Sequence, residues 1–225
     1  IADYLTGTAP TLHEEIYEEL DLGGVAEGSI GSDPTALARV LFASWIVRIL
    51  GDFTGALLFG PSYLAALMDL YEQPDAPSRV TTIYLDRDRT VQAEAPAHAR
   101  VHLTAEWLTA MGFTTEANTF VNRWDERHGN PQSFSFQGAV GSVATASIFN
   151  TALVLVEKLY RLELDALGFK RLVEVPGLSD WQAHDRPADD AKTSLLSGQI
   201  ATGSARALVA VAIVASLDSP DSAVR

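Results

Sequence analysis

The stretch from Pro34 to Tyr71 constrains the fold more than any other part of this sequence. It is largely apolar, yet it carries Arg48 and Asp52 within the apolar run. An unpaired charge inside a protein costs several kcal/mol at least, so such charges must be paired, lie with their heads in water or serve a function. Because Arg48 and Asp52 are four residues apart, they can meet on one face of a helix. The sequence therefore predicts a buried helix in which these two side chains neutralise each other.

The charge-free segment from Phe53 to Met68 is too short to cross a membrane. It holds 16 residues, whereas a transmembrane helix needs roughly 18 or more. Gly60-Pro61 also interrupts the helical pattern. We therefore predict two buried helices joined at Gly60-Pro61 and no membrane span.

Helical spacing of apolar residues continues along most of the remaining chain. Further helices are predicted at about residues 11–22, 96–111, 115–127, 141–167, 188–196 and 204–217, and a short strand at Val80–Leu85. No low-complexity linker divides the sequence. The prediction is an all-α protein in which residues 1–225 form one single-domain orthogonal bundle of about seven helices, with at most one short strand pair.

The composition limits the partners. There are 29 acidic and 16 basic residues, which give a formal net charge of -13. Such a chain repels phosphate backbones, so we predict no nucleic-acid binding. The absence of cysteine excludes disulfides and thiolate metal sites. No signal-peptide pattern opens the sequence, and we predict a cytoplasmic protein; because the chain begins at Ile1, a piece of a longer protein is also compatible with it.

His13-Glu14 is the first pattern that carries metal-binding residues. It begins as the helix of zinc peptidases does, where two histidines four residues apart hold the metal and the glutamate activates water. Tyr17 stands at the position of the second histidine. Taken alone, the pair is equally compatible with an exposed acidic helix that carries one incidental histidine.

The second pattern is His98-x-x-x-His102-x-x-x-Glu106. Steps of four place these side chains along one stripe of a helix, and the spacing of the two histidines is one that metals use. Glu106 can supply an oxygen ligand or orient His102. The alternative is a polar helix face with a histidine–glutamate hydrogen bond. A third cluster, at residues 124–128, also places a histidine near carboxylates, and we interpret that histidine as a surface residue.

A family resemblance rests on three segments of the chain. They are Trp45-x-x-Arg48-x-x-x-Asp52, Phe59-Gly60-Pro61-Ser62-Tyr63-Leu64 and Ala95-Pro96-Ala97-His98-Ala99-Arg100. The arrangement resembles zincin-like metallopeptidase proteins. In those, an HExxH helix comes first, a Trp-x-x-Glu-x-x-x-Asp segment leads into a Gly-Pro-aromatic turn, and an arginine helix follows a proline-rich loop. Arg48 and Tyr17 replace two of the three metal ligands of that pattern, so the resemblance implies a zincin-like helical scaffold with a degenerate or rebuilt centre.

Two functions follow from these observations. The favoured one is a non-catalytic helical module that binds a protein partner or another copy of itself, because two metal ligands are lost and residues 130–156 and 207–217 are almost free of charge. The alternative is a metal-dependent, peptidase-like hydrolase with Glu14 as general base and zinc or another divalent metal as cofactor. The candidate metal ligands are His13, His98, His102 and Glu106.

Overall fold

The structure is a computed structural model that describes residues 34–71, 80–84, 95–137, 141–164 and 169–175. Five α-helices lie in this part of the chain: α1 (Pro34–Phe59), α2 (Pro61–Tyr71), α3 (Ala97–Ala110), α4 (Thr114–His128) and α5 (Thr145–Arg161). The strands are β1 (Thr82–Tyr84), β2 (Ser133–Gln137), β3 (Ser142–Ala144), β4 (Glu163–Leu164) and β5 (Lys170–Arg171), and a 3₁₀ turn follows at Leu172–Glu174. The described part is mainly helical, as predicted. The helices predicted at 11–22, 188–196 and 204–217 lie outside the described residues.

The break between α1 and α2 confirms the prediction at Gly60-Pro61. Gly60 has a φ of +55°, a left-handed conformation that glycine adopts without steric cost. Its N–H donates to the carbonyl of Ala56 at 2.7 Å. Pro61 then begins α2, where a missing N–H costs nothing because the first turn of a helix does not use it.

Residues Leu37–Phe59 of α1 are long and apolar enough to cross a membrane by length and composition alone. The core helix of a globular protein passes the same test. Trp45, Asp52 and Phe53 on this helix are buried inside the protein, and α1 packs against α2, α3 and α5. This burial is that of a core helix.

Helix α3 lies at the centre of the described helices. It packs against α1, α2, α4 and α5, and ten of its 14 residues are buried. A helix surrounded on all sides normally carries only apolar residues, but α3 buries His98 and Arg100. Two residues apart on a helix is a rotation of about 200°, so these two side chains leave α3 on opposite sides. Each must find polar partners on a different neighbour.

Arg100 finds its partner on α1, which corrects the predicted pairing of Asp52 with Arg48. Its Nε donates to Oδ2 of Asp52 at 2.8 Å and its Nη2 donates to Oδ1 at 2.6 Å. The hydroxyl of Tyr63 donates to the same Oδ1 at 2.7 Å, and Arg100 also donates to the hydroxyl of Tyr71. Arg48 is exposed. A buried carboxylate is best satisfied by a two-pronged guanidinium, and α3 presents one from inside the core. We call Asp52, Tyr63, Tyr71 and Arg100 the Asp52 network.

Charge states in the Asp52 network follow from burial and from the carboxylate. Burial alone would lower the pKa of Arg100, but the hydrogen bonds and the charge of Asp52 outweigh it and hold that pKa above its usual value. Burial, followed by the negative charge of Asp52, raises the pKa of Tyr63 above its usual value. Arg100 therefore stays charged, and Tyr63 keeps the proton that it donates.

Gly55 makes room for Tyr63 to reach Asp52. A Cβ atom at position 55 would lie 2.2 Å from Cε2 of Tyr63, far inside contact distance. Gly55 is one turn after Asp52 on the same face of α1, so the aromatic ring lies directly against the helix backbone there. Any side chain at this position must push the ring away from the carboxylate.

Two small sheets correct the prediction of at most one strand pair. Strand β2 pairs with β1 in parallel and with β3 antiparallel, and β4 pairs with β5. The predicted helix at 141–167 begins only at Thr145, because β3 precedes it. The strand signal was present in Ser133-Phe134-Ser135-Phe136-Gln137, where polar and apolar residues alternate and Phe134 is fully buried. The strand predicted at Val80–Leu85 is confirmed with narrower bounds.

We predict that Gly55→Ala destabilises the protein by about 1–3 kcal/mol, because the added methyl group overpacks against Tyr63. The matched control is Gly51→Ala, one turn earlier on the exposed face of α1, where a Cβ atom meets nothing within 4 Å. That change should stabilise the protein by roughly 0.5–1 kcal/mol, since alanine favours a helix interior. Urea unfolding of both variants measures the difference. A Gly55→Ala variant as stable as Gly51→Ala would contradict the close approach of Tyr63.

A second prediction tests the partner of Asp52. Arg100→Met should cost about 3–5 kcal/mol of stability, because it leaves a buried carboxylate without its counter-charge. Arg48→Met should stay within about 0.5 kcal/mol of the wild type, as exposed substitutions usually do. Equal losses in the two variants would restore Arg48 as the partner.

Candidate metal centre

Three potential metal ligands meet between α3 and α4. His98 and His102 come from α3 and Asp125 from α4, and one ligand atom from each lies within 4.8 Å of the others. Nε2 of His102 is 3.0 Å from Oδ1 of Asp125, and Nδ1 of His98 is 4.0 Å from the same oxygen. The two imidazole rings are 4.2 Å apart between centroids. We call these three residues the His–Asp cluster.

Local structure brings the cluster together. His98 and His102 are one turn apart and share a face of α3. The N–H of His98 donates to the carbonyl of Val80 at 3.1 Å, which fixes the first turn of α3 against the segment before β1. Gly112, with a φ of +97°, lets the chain turn after α3 and start α4. On α4, Trp124 is fully buried, and this sets the rotation of the helix that carries Asp125.

Aromatic rings surround the two imidazoles. Phe149 of α5 stacks on His102 at 5.2 Å and lies 5.9 Å from His98, while Phe134 of β2 lies 6.1 Å from His98. His98 is fully buried, and the side chains of His102 and Asp125 are 20% and 25% exposed. Such an apolar surrounding limits water around the cluster and strengthens electrostatic interactions within it.

His98 is neutral at physiological pH. Burial, followed by the positive charges of His102 and His128, lowers the pKa of His98 to about 3. The indole N–H of Trp124 donates to Nδ1 of His98 at 3.1 Å. Since an indole N–H can only donate, Nδ1 of His98 carries no proton and the hydrogen of the neutral ring is on Nε2. That Nε2 is buried and has no hydrogen-bond partner among the described residues.

The cluster has the donor spacing that a small divalent ion requires. Nitrogen and oxygen ligands at about 2.1 Å from a tetrahedral zinc lie about 3.4 Å from one another. The two measured ligand separations, 3.0 and 4.0 Å, lie on either side of that value. An ion would take the proton's place on Nε2 of His102, whose proton would move to Nδ1 or leave. Shifts of about half an ångström would complete the coordination.

The structure separates the residues that the sequence singled out. His98 and His102 are together, as their spacing predicts. Glu106, one turn further along α3, is exposed, and the third ligand within the described residues is Asp125. Asp125 belongs to the 124–128 cluster, whose histidine was interpreted as a surface residue. His128 is in fact partly buried and stacks on Trp124 at 4.1 Å. His13 and Glu14 lie outside the described residues.

No protein family, curated protein or solved structure matches the chain. The function must therefore be argued from the geometry of the side chains.

The low pKa of His98 generates a prediction for the metal-free protein. Between about pH 6.5 and pH 3 the unfolded chain binds a proton on His98 that the folded protein does not, so stability present above pH 6.5 is lost as the pH falls. From pH 7 to pH 5 this residue alone should lower the free energy of unfolding by about 2 kcal/mol. Urea unfolding at pH 7, 6 and 5 measures the loss.

The control for this prediction is His98→Gln, which places a group that does not titrate at the same position. All other titrating residues are common to both proteins, so the wild type should lose about 2 kcal/mol more than the variant over this range. Parallel pH profiles would show that His98 is not held in its neutral form.

Proposed function

We propose that this protein is a non-catalytic helical module that binds one divalent transition-metal ion between α3 and α4. The observation that supports it is the meeting of His98, His102 and Asp125, with ligand atoms within 4.8 Å of one another. Two of these ligands come from one helix and the third from the next. A bound ion would therefore tie α3 to α4 beside the fully buried Trp124.

The donor set selects the class of metal. Two imidazoles and one carboxylate suit zinc, cobalt, nickel or ferrous iron, whereas calcium and magnesium prefer oxygen ligands alone. The apolar surroundings formed by Phe134 and Phe149 favour an ion that gives up most of its water. Among these metals we propose zinc.

A stabilising role follows from linkage. An ion that binds only the folded protein adds to its stability in proportion to the logarithm of its concentration, about 2.7 kcal/mol at 100 times the Kd. His98 has no exposed surface, so the ion would lie at the inner end of the cluster with little access for a substrate. The charge of the ion would also compensate Asp125 without a proton on His102.

The number of ligands favours a second candidate, a peptidase-like hydrolase on a zincin-like scaffold. Catalytic zinc sites commonly use three protein ligands and leave the fourth position to water, and the His–Asp cluster supplies three. This candidate requires Glu14 as general base, with His13 near the ion. Its test is hydrolysis of a mixed peptide library by zinc-loaded protein, with a Glu14→Gln variant beside it; activity lost in that variant alone would replace the non-catalytic proposal.

Binding of a protein partner or of a second copy is compatible with the surface of the described helices. Five large apolar side chains are exposed there: Val47, Leu70, Leu153, Val154 and Phe169. The proposal takes the whole chain as one orthogonal bundle of about seven helices in the cytoplasm. Light scattering that shows a strict monomer would count against self-association.

The metal proposal predicts stoichiometric binding. Protein purified without a histidine tag should bind one equivalent of Zn²⁺ in a calorimetric titration. His102→Ala and Asp125→Ala should each weaken binding at least tenfold, because a lost ligand usually costs as much as a lost supporting contact or more.

Glu106→Ala is the matched control, since this carboxylate is on the same helix but exposed. It should leave the affinity unchanged. The cluster would lose its role if wild-type protein took up no zinc, cobalt, nickel or iron. A loss of affinity in Glu106→Ala equal to that in Asp125→Ala would return Glu106 to the ligand set.

A further inference from the structure

The inference concerns how access to the metal site is controlled, and it rests on the proposed metal binding. Nδ1 of His98 is the nitrogen that approaches Oδ1 of Asp125, at 4.0 Å. The same nitrogen accepts the indole N–H of Trp124 at 3.1 Å. A neutral imidazole has one lone pair in the ring plane, on its unprotonated nitrogen. An ion and the indole N–H therefore compete for one pair of electrons.

We propose that Trp124 is the gating residue of the His–Asp cluster: its N–H occupies the coordinating lone pair of His98, and an ion binds only by displacing it. Trp124 is fully buried, and its ring stacks on His128 at a centroid distance of 4.1 Å. The indole therefore cannot swing into solvent when it leaves His98. It must shift within the core, and Asp125, the next residue in the chain, must shift with it.

This arrangement assigns two roles to one hydrogen bond. In the metal-free protein it satisfies a buried nitrogen that would otherwise have no donor, which holds His98 in the correct tautomer to coordinate. On metal binding it is lost, so the affinity is lower than the three ligands alone would give. Removing the N–H while keeping an aromatic ring should raise the affinity for Zn²⁺ about tenfold, the effect of one buried hydrogen bond.

The experiment compares Zn²⁺ affinity in wild type, Trp124→Phe and Trp45→Phe by calorimetry. Trp45 is the matched control, since it is equally buried but comes from α1, which supplies no ligand to the cluster. Trp124→Phe should bind about tenfold more tightly and Trp45→Phe as the wild type does. Equal affinities in all three proteins would overturn the gating role.

A second measurement uses the wild type and does not depend on how the variants fold. The indole N–H resonance of Trp124, assigned by its loss in Trp124→Phe, should move upfield when Zn²⁺ saturates the protein, because its hydrogen bond is broken. An unchanged resonance at saturating Zn²⁺ would show that His98 coordinates through another atom and would end this inference alone. If neither the wild type nor Trp124→Phe binds Zn²⁺, the proposed function itself fails.

Discussion

The burial of a charged side chain by a central helix is the constraint on which the rest of the described structure depends. Arg100 lies inside the protein on α3, and its guanidinium must be met by groups that replace water. Asp52 from α1 meets it with both oxygens, and Tyr63 and Tyr71 from α2 complete the contacts. Three helices are thereby fixed relative to one another by geometry that apolar packing alone does not specify. Gly55 belongs to the same constraint, because a side chain there would push Tyr63 aside.

The opposite side of α3 carries the chemistry. With Arg100 directed toward α1 and α2, the rotation of α3 is set, and His98 and His102 face α4 and α5. The imidazoles then lie among aromatic rings, where a charged form is unfavourable and a neutral nitrogen can coordinate an ion. The Asp52 network and the His–Asp cluster are thus two consequences of one buried helix. A change in the first alters the position of the second.

The residues that carry the resemblance to zincin-like proteins have a structural role in this chain. Asp52 and Arg100 come from separate segments of that pattern, and in space they form a bidentate pair with Tyr63 beside them. This part of the pattern joins helices and includes no metal ligand. The His–Asp cluster comes from α3 and α4, away from the exposed Arg48 at the position of the lost glutamate ligand. The relationship itself stays a prediction, and the geometry is that of a rebuilt site.

The sequence by itself determined the elements that depend on local chemistry. Apolar spacing predicted α1 to α4 closely, Gly60-Pro61 separated α1 from α2, and the four-residue step placed His98 beside His102. The alternation in Ser133–Gln137 also predicts a strand, although the surrounding uncharged residues favoured a loop and a longer helix. Only the tertiary structure decided which partner each polar group takes. Spacing along the chain admits Arg48 as the partner of Asp52 and Glu106 as a ligand, but both are exposed. Arg100 and Asp125 replace them because a buried polar group is satisfied by whatever the packing of distant helices brings within hydrogen-bond distance, and no local pattern encodes that distance.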